Sequence, residues 1–221
     1  TSSLAHYLIA RELNDAKVRL TSLAPRLDAG FEKGIDIRTN DGKKPLPADL
    51  RKFEDSVKEH ALIARKMGPY KLSVHSGSDK FTAYPIIGKH TKGMFHVKTA
   101  GTSYLEAVKV IAKHDSSLFK EMHQCALATF EKNRLTYHLT TNLVNIASLE
   151  ELNRVEIVKE LTTNDDWRQV IHVAYGVLLD KFGKRMMHVL RENREDYYQS
   201  VAKHIRRHLE AFGLGKIACS V

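Results

Sequence analysis

The period of apolar and polar positions changes several times along this chain, and each change marks an element. Leu4, Tyr7, Leu8 and Leu13 fall roughly on one side of a helical pitch, and Asn14-Asp15 breaks that run. Val18 to Ala24 then alternates as a strand until Pro25. After a long loop from Arg26 to Leu46, Pro47 opens a helix. Its Leu50, Phe53, Val57, Ala61, Ala64 and Met67 make one apolar stripe, and Gly68 closes it. Two strand-helix units of like shape follow. Lys71-Leu-Ser-Val-His75 runs into Ser76-Gly-Ser78 and the pair Asp79-Lys80; Met94-Phe-His-Val-Lys98 runs into a Gly turn and a Thr/Ser helix start.

Further on, the spacing predicts a long helix over 116–134, with Leu118, Met122, Cys125, Ala126 and Phe130 on one side. Leu135 to Thr141 reads as a strand again. Ser148-Leu-Glu-Glu151 has the form of a capping box that starts another helix. From Asp165, the positions Trp167, Val170, Ile171, Ala174, Val177 and Leu178 recur at helical spacing, and Phe182-Gly183 reads as a turn. A last helix is expected from Met186 to Phe212, ended by Gly213-Leu-Gly215.

Strands at 18–24, 71–75, 94–98 and 136–140 that alternate with helices argue a parallel α/β arrangement. We expect a single α/β domain over 1–221, with β/α units to about residue 147 and C-terminal helices over 148–221. Four such strands equal half of an eight-stranded β/α barrel. An open four-stranded sheet is the alternative, although no Gly-rich phosphate loop follows any of the strands.

Composition narrows the function classes. The 221 residues are 43% hydrophobic, enough for a real core, and hold no apolar run of roughly 18 residues that would span a membrane. The first residues, Thr1 to Tyr7, lack the basic stretch and apolar core of a secretory signal, and the missing initiator Met suggests a fragment or a processed form. Cys125 and Cys219 stand far apart in no C-x-x-C spacing, which fits a reducing cytoplasm better than a disulfide framework. The net charge of +9 is spread along the chain without an aromatic-interleaved basic block. It reads as a solvated surface that favours anionic substrates, rather than as a nucleic-acid footprint.

Strand parity gathers the polar residues. Ser73 and His75 share one face, as do His96 with Lys98, and Thr136 with His138 and Thr140. His75 and His138, near the ends of their strands, could meet as neutral nitrogen ligands of a divalent metal; a structural role for each is the alternative. His96, one pleat deeper, is expected to be a hydrogen-bonded core histidine. Lys98 is expected to reach a carboxylate or enolate, against the alternative of a snorkelling stem. Asp79 more commonly caps the following helix in such a place. Glu32 stands with Lys33 and Asp36 in the long loop, where a mobile acid/base would serve and where a solvated glutamate is the plain reading. His204 and His208, at i and i+4, read as a solvent face, because Arg206 and Arg207 would repel a cation. No G-x-S-x-G signature is present.

Several of these segments together resemble one family. His75-Ser-Gly-Ser-Asp-Lys-Phe81, Phe95-His-Val-Lys-Thr-Ala-Gly-Thr-Ser103, Phe31-Glu-Lys-Gly-Ile-Asp36, Ala24-Pro-Arg26 and Arg168-Gln-Val-Ile-His-Val-Ala-Tyr-Gly176 are similar to the tagaturonate/fructuronate epimerases. The resemblance runs over nearly the whole chain. Family members are considerably longer, so it implies the C-terminal half of a TIM-like barrel with extra C-terminal helices, inactive alone and open to pairing as a homo-oligomer. It also implies a divalent-metal-dependent isomerase of hexuronate catabolism acting on a keto-hexuronate. In that family setting His75 and His138 would be metal ligands, Glu32 the catalytic acid/base, and Lys33, Asp79, Lys98 and His172 substrate contacts. The inverted carbon lies β to the ketone, so α-proton exchange cannot invert it, whereas retro-aldol cleavage and re-addition can. The reading from another class is a non-catalytic module binding a sugar acid or nucleic acid, for which the basic charge is the only support.

Overall fold

Alternating apolar and polar residues build a small parallel sheet from β1 (Ser22–Leu23), β2 (Lys71–His75) and β3 (Phe95–Lys98), in that spatial order. The computed structural model describes residues 2–27, 47–75, 80–137, 139, 141–150 and 152–215, the side chains of 47–49, 75 and 136 excepted. Leu72 pairs with Phe95, Ser73 with His96, Val74 with Val97 and His75 with Lys98. Period-two alternation decides which face is covered. Leu72 and Val74 are buried and Phe95 and Val97 partly so, while Ser73 is half-buried and His96 and Lys98 are exposed.

The chain divides into two units, residues 1–99 with 206–221, and residues 100–205. The first holds the sheet, α1 (Ser3–Asp15), α2 (Pro47–Met67), α3 (Tyr84–Thr91) and the end of α9 (Arg194–Ala211). Ser2 caps α1 by accepting a hydrogen bond from the Ala5 amide. The stripe on α2 splits between two cores. Phe53 and Val57 pack with Val74, Ile87, Tyr84 and Phe212, and Ala61 and Ala64 pack with Ala10, Tyr70 and Leu72. After α3 the chain turns into β3 through two left-handed residues, Lys92 (φ 52°) and Gly93 (φ 84°), a conformation that suits a glycine.

The second unit is helical. It contains α4 (Ala100–His114), α5 (Ser116–Asn133), α6 (Arg154–Thr163), α7 (Asp165–Val173), α8 (Tyr175–Glu192) and most of α9. Val108 and Ile111, Leu118, Met122 and Phe130, Trp167 and Ile171, and Leu178 and Phe182 share one continuous core. Side-chain caps at Asp115, Asn153 and Asn164 satisfy the first amides of α5, α6 and α7.

The fold is α/β and mostly helical, and several expected elements differ. The first strand shrinks to the two residues that find register partners on β2. No strand forms among the described residues of 135–141. Arg134–Thr136 is a 3₁₀ turn, closed by the Tyr137 amide donating to the Arg134 carbonyl at 2.8 Å. Alternation makes a segment strand-compatible, but a strand also needs a neighbouring edge, and here the tightened end of α5 takes the local bond instead. The capping box at the start of α6 sits at Asn153 with Glu156; Ser148 accepts a local bond from the Glu150 amide. Phe182-Gly183 is no turn, because Phe182 lies on the buried stripe of α8, whose packing offsets the cost of about 1 kcal/mol for a helical glycine. The break expected there falls instead at Asn193, between α8 and α9. Residues on both sides of position 147 belong to the second unit.

Candidate active site

Parallel pairing brings the C-terminal ends of β2 and β3 level, with His75 the register partner of Lys98. Neighbouring parallel strands run about 4.8 Å apart, so these two backbones are adjacent at the edge where β/α proteins place their ligands. One pleat back, the Ser73 hydroxyl and His96 Nδ1 are hydrogen-bonded at 2.8 Å. The expectation of a core histidine at 96 is therefore corrected. The ring is hydrogen-bonded but exposed, and among the described residues the apolar clusters of this unit gather Leu72, Val74, Phe95 and Val97 from the alternate positions. Lys98 is exposed on the same face.

Glu32, Lys33, Asp79 and His138 lie outside the described residues, as does the side chain of His75. The N-cap of α3 is Ala83, with no side-chain cap. Next to Asp79 in sequence, Lys80 is completely buried and engaged by a partner. A buried ammonium is stable only when paired, which marks Lys80 as a residue of consequence that sequence reasoning passed over in favour of Asp79. The available signal was its place directly after the strand-end turn.

His172 lies in the last turn of α7, 7% exposed. Its Nδ1 is 3.4 Å from the Gly101 carbonyl oxygen, and its ring meets Tyr137 edge-on, with centroids 6.0 Å apart. The structure thus brings His75 and Lys98 together by register, and it packs His172 against the first turn of α4.

His204 and His208 are both 2% exposed, which overturns their reading as a solvent face. Nearby arginines do not keep a helix face in water: Arg207, three residues after His204 and so on its side of the helix, lays its guanidinium over the Phe81 ring at 4.5 Å. His204 Nε2 is 3.1 Å from the Thr102 hydroxyl, and its Nδ1 is 3.5 Å from Glu106. Glu106 also takes a 2.6 Å hydrogen bond from Ser200 and pairs with Lys109 at 2.6 Å. His208 packs its ring on Phe81 and Tyr84.

Burial also sets the titration of two histidines. Burial first, and His60 second, push His6 down to about 4, and burial pushes His123 down to about 4. Among the described residues no three His, Cys, Asp or Glu side chains are gathered as a metal site. The fit of a divalent ion rests on donor chemistry: His75 closes β2 at the edge of the sheet, and imidazole suits borderline divalent metals. Among the described residues no helix is long and apolar enough to cross a membrane.

Comparison with known proteins gives a consistent result. The family model described as UxaE, tagaturonate epimerase, matches residues 1–212. A tagaturonate/fructuronate epimerase from Thermotoga maritima is 43% identical over 212 residues, which are 95% of this chain and 42% of that protein. The glycerol-complexed crystal structure of the fructuronate-tagaturonate epimerase UxaE from Cohnella laeviribosi superposes with a TM-score of 0.85 at 40% identity, covering 96% of this chain and 43% of that one. Its native form gives 0.84 at 41% identity, with the same coverage. The chain therefore spans less than half the length of the relatives it matches.

Proposed function

This chain belongs to the tagaturonate epimerase family, and on that premise we propose that the enzyme built around it interconverts D-tagaturonate and D-fructuronate. The observation that carries the reading is the 43% identity sustained over 212 residues, which includes both strand-end motifs. The three parallel strands are read as part of a larger β/α barrel, whose ligands sit at the C-terminal strand edge. The pairing of His75 with Lys98 at that edge supports this reading.

The chemistry follows from the substrate. The carbon to be inverted carries its hydroxyl β to the ketone. Glu32 takes the proton of that hydroxyl, and the C–C bond to the α-carbon breaks, leaving an aldehyde and an enediolate. The aldehyde rotates, the enediolate carbon adds to its opposite face, and Glu32 returns the proton to the new alkoxide. Atoms and charge balance without an oxidant or reductant. A divalent ion held by His75 and His138 would supply Lewis-acid polarisation of the ketone. Lys98 and Lys33 complement the carboxylate and the developing negative charge, while Asp79 and His172 orient the hydroxyls.

The test is to incubate the full-length enzyme with tagaturonate and follow fructuronate, with and without a chelator. Turnover that is lost on chelation and restored by a divalent ion is the expected result. Turnover indifferent to chelation would remove the metal, and absence of turnover with every divalent ion would remove the epimerase reading.

A further inference from the structure

The first turn of α4, directly after Lys98 and Thr99, is Ala100-Gly101-Thr102-Ser103, and Gly101 carries a specific steric burden. A Cβ built on Gly101 would lie 2.4 Å from Cε1 of His172, 3.2 Å from its Nδ1 and 3.4 Å from its Nε2. The imidazole therefore occupies the space that any other residue at position 101 would fill. The ring has two further contacts. His172 is 7% exposed with its Nδ1 3.4 Å from the Gly101 carbonyl oxygen, and Tyr137 stands edge-on to the ring at 82° between planes. All three residues belong to the second unit. Gly101 has no left-handed backbone to excuse it, since it lies in the first turn of α4 with a helical φ, where glycine is a poorer helix former than alanine. A residue unfavourable for its own helix is explained by the ring it admits.

We propose that Gly101 is a positioning residue, which sets the orientation of the His172 imidazole by lacking a side chain, with the Tyr137 ring as a second contact. The proposal deepens the substrate-binding role given to His172 above and rests on that reading. A buried ring seated against the peptide of Gly101 and in contact with the Tyr137 ring has few rotamers, and an imidazole with a single orientation can direct one hydrogen bond to a sugar hydroxyl. Alanine at 101 forces the ring aside by the better part of an ångström or more, because its Cβ meets ring atoms on a short side chain rather than the loose end of a long one.

The experiment is a double-mutant cycle in the full-length enzyme with tagaturonate, using Gly101→Ala, His172→Ala and the double variant. A displacement of about 1 Å at a positioned group lowers turnover by roughly tenfold to a hundredfold. If Gly101 acts through His172, Gly101→Ala produces a loss of that order and the double variant is no worse than His172→Ala alone. Independent, multiplying losses would overturn the proposal. In parallel, the imidazole resonances of His172 are recorded by NMR in wild type and Gly101→Ala, assigned through the His172→Ala spectrum. A displaced His172 signal is expected, and an unchanged one would overturn the steric argument whatever the kinetics show. If His172→Ala alone leaves kcat/KM intact while the NMR signal moves, the geometry stands and the substrate role of His172 fails, so the two failures are told apart. Gly101→Ser, nearly as small, should retain more activity than Gly101→Val if ring displacement is the cause; equal losses would count against it.

Discussion

His6 shows how much a single buried side chain can govern. Its Nδ1 is 2.8 Å from Nδ1 of His60 on α2, and its Nε2 is 2.8 Å from the Tyr70 hydroxyl. The three residues are 1%, 1% and 2% exposed. Two Nδ1 atoms at that distance share one proton, so one ring donates and the other accepts. Burial likewise pushes the Tyr70 phenol up to about 12, so it stays protonated. The charged side chains nearby on α1 and α2 (Arg11, Glu12, Asp15, Lys58 and Glu59) are exposed. The folded pKa of His6, about 4, lies below its ordinary value of 6.5, so between those two the unfolded chain binds the extra proton. Stability is therefore fully present above pH 6.5 and is lost as pH falls toward 4, by about 1–3 kcal/mol. Thermal melts followed by far-UV circular dichroism at pH 7 and pH 4.5 should show this slope, and His6→Leu should flatten it. An equal slope in wild type and variant would place the acid sensitivity elsewhere, His123 first.

Among the elements, α6 starts later than the sequence reading places it, and its cap can be tested directly. Asn153 accepts from the Val155 and Glu156 amides while Glu156 reaches back to the Asn153 amide at 2.8 Å. Ser148-x-x-Glu151 has the same spacing, so the pattern alone offers two candidates; the one that succeeds is followed directly by the buried pair Ile157 and Leu161. Asn153→Ala should cost about 1 kcal/mol. Trp167, the single tryptophan, lies in the core of this unit and so reports its unfolding by fluorescence. A denaturation midpoint unmoved by Asn153→Ala, with Ser148→Ala instead destabilising, would reverse the assignment. Elsewhere the long stripes were legible. Those of α2 and α5 bury Phe53, Val57, Ala61 and Ala64, and Leu118, Met122, Ala126 and Phe130, as their periodicity predicts.

Across the molecule as a whole, the chain covers 42% of the Thermotoga protein and divides into two units, with a sheet of three parallel strands among the described residues. A β/α barrel needs eight strands to close its wall and to deliver site residues from several strand ends. We accordingly expect the 221-residue chain alone to show no epimerase turnover under conditions in which the full-length enzyme works. Among the described residues β3 pairs on one side only, and an open edge of this kind favours association with another chain. Light scattering beside the activity assay would therefore detect a self-associated species. A monomer with full metal-dependent activity would show that these residues suffice.

Read by itself, the sequence carried the helices with long apolar stripes, the strand parity that separates Leu72 and Val74 from Ser73 and His75, and the family motifs. These are local periodicities and contiguous segments, and their information lies within a few turns of chain. It could not carry the fate of Leu135 to Thr141, because a strand exists only where a partner edge accepts its hydrogen bonds. Nor could it place His204 or His172. Burial of a polar ring depends on groups such as Glu106, Thr102 and Gly101, which lie 71 or more residues away in sequence, as the Gly101–His172 separation shows. Long-range packing supplies the partners that make a buried imidazole tolerable, and those partners are assembled only when the helices fold against one another.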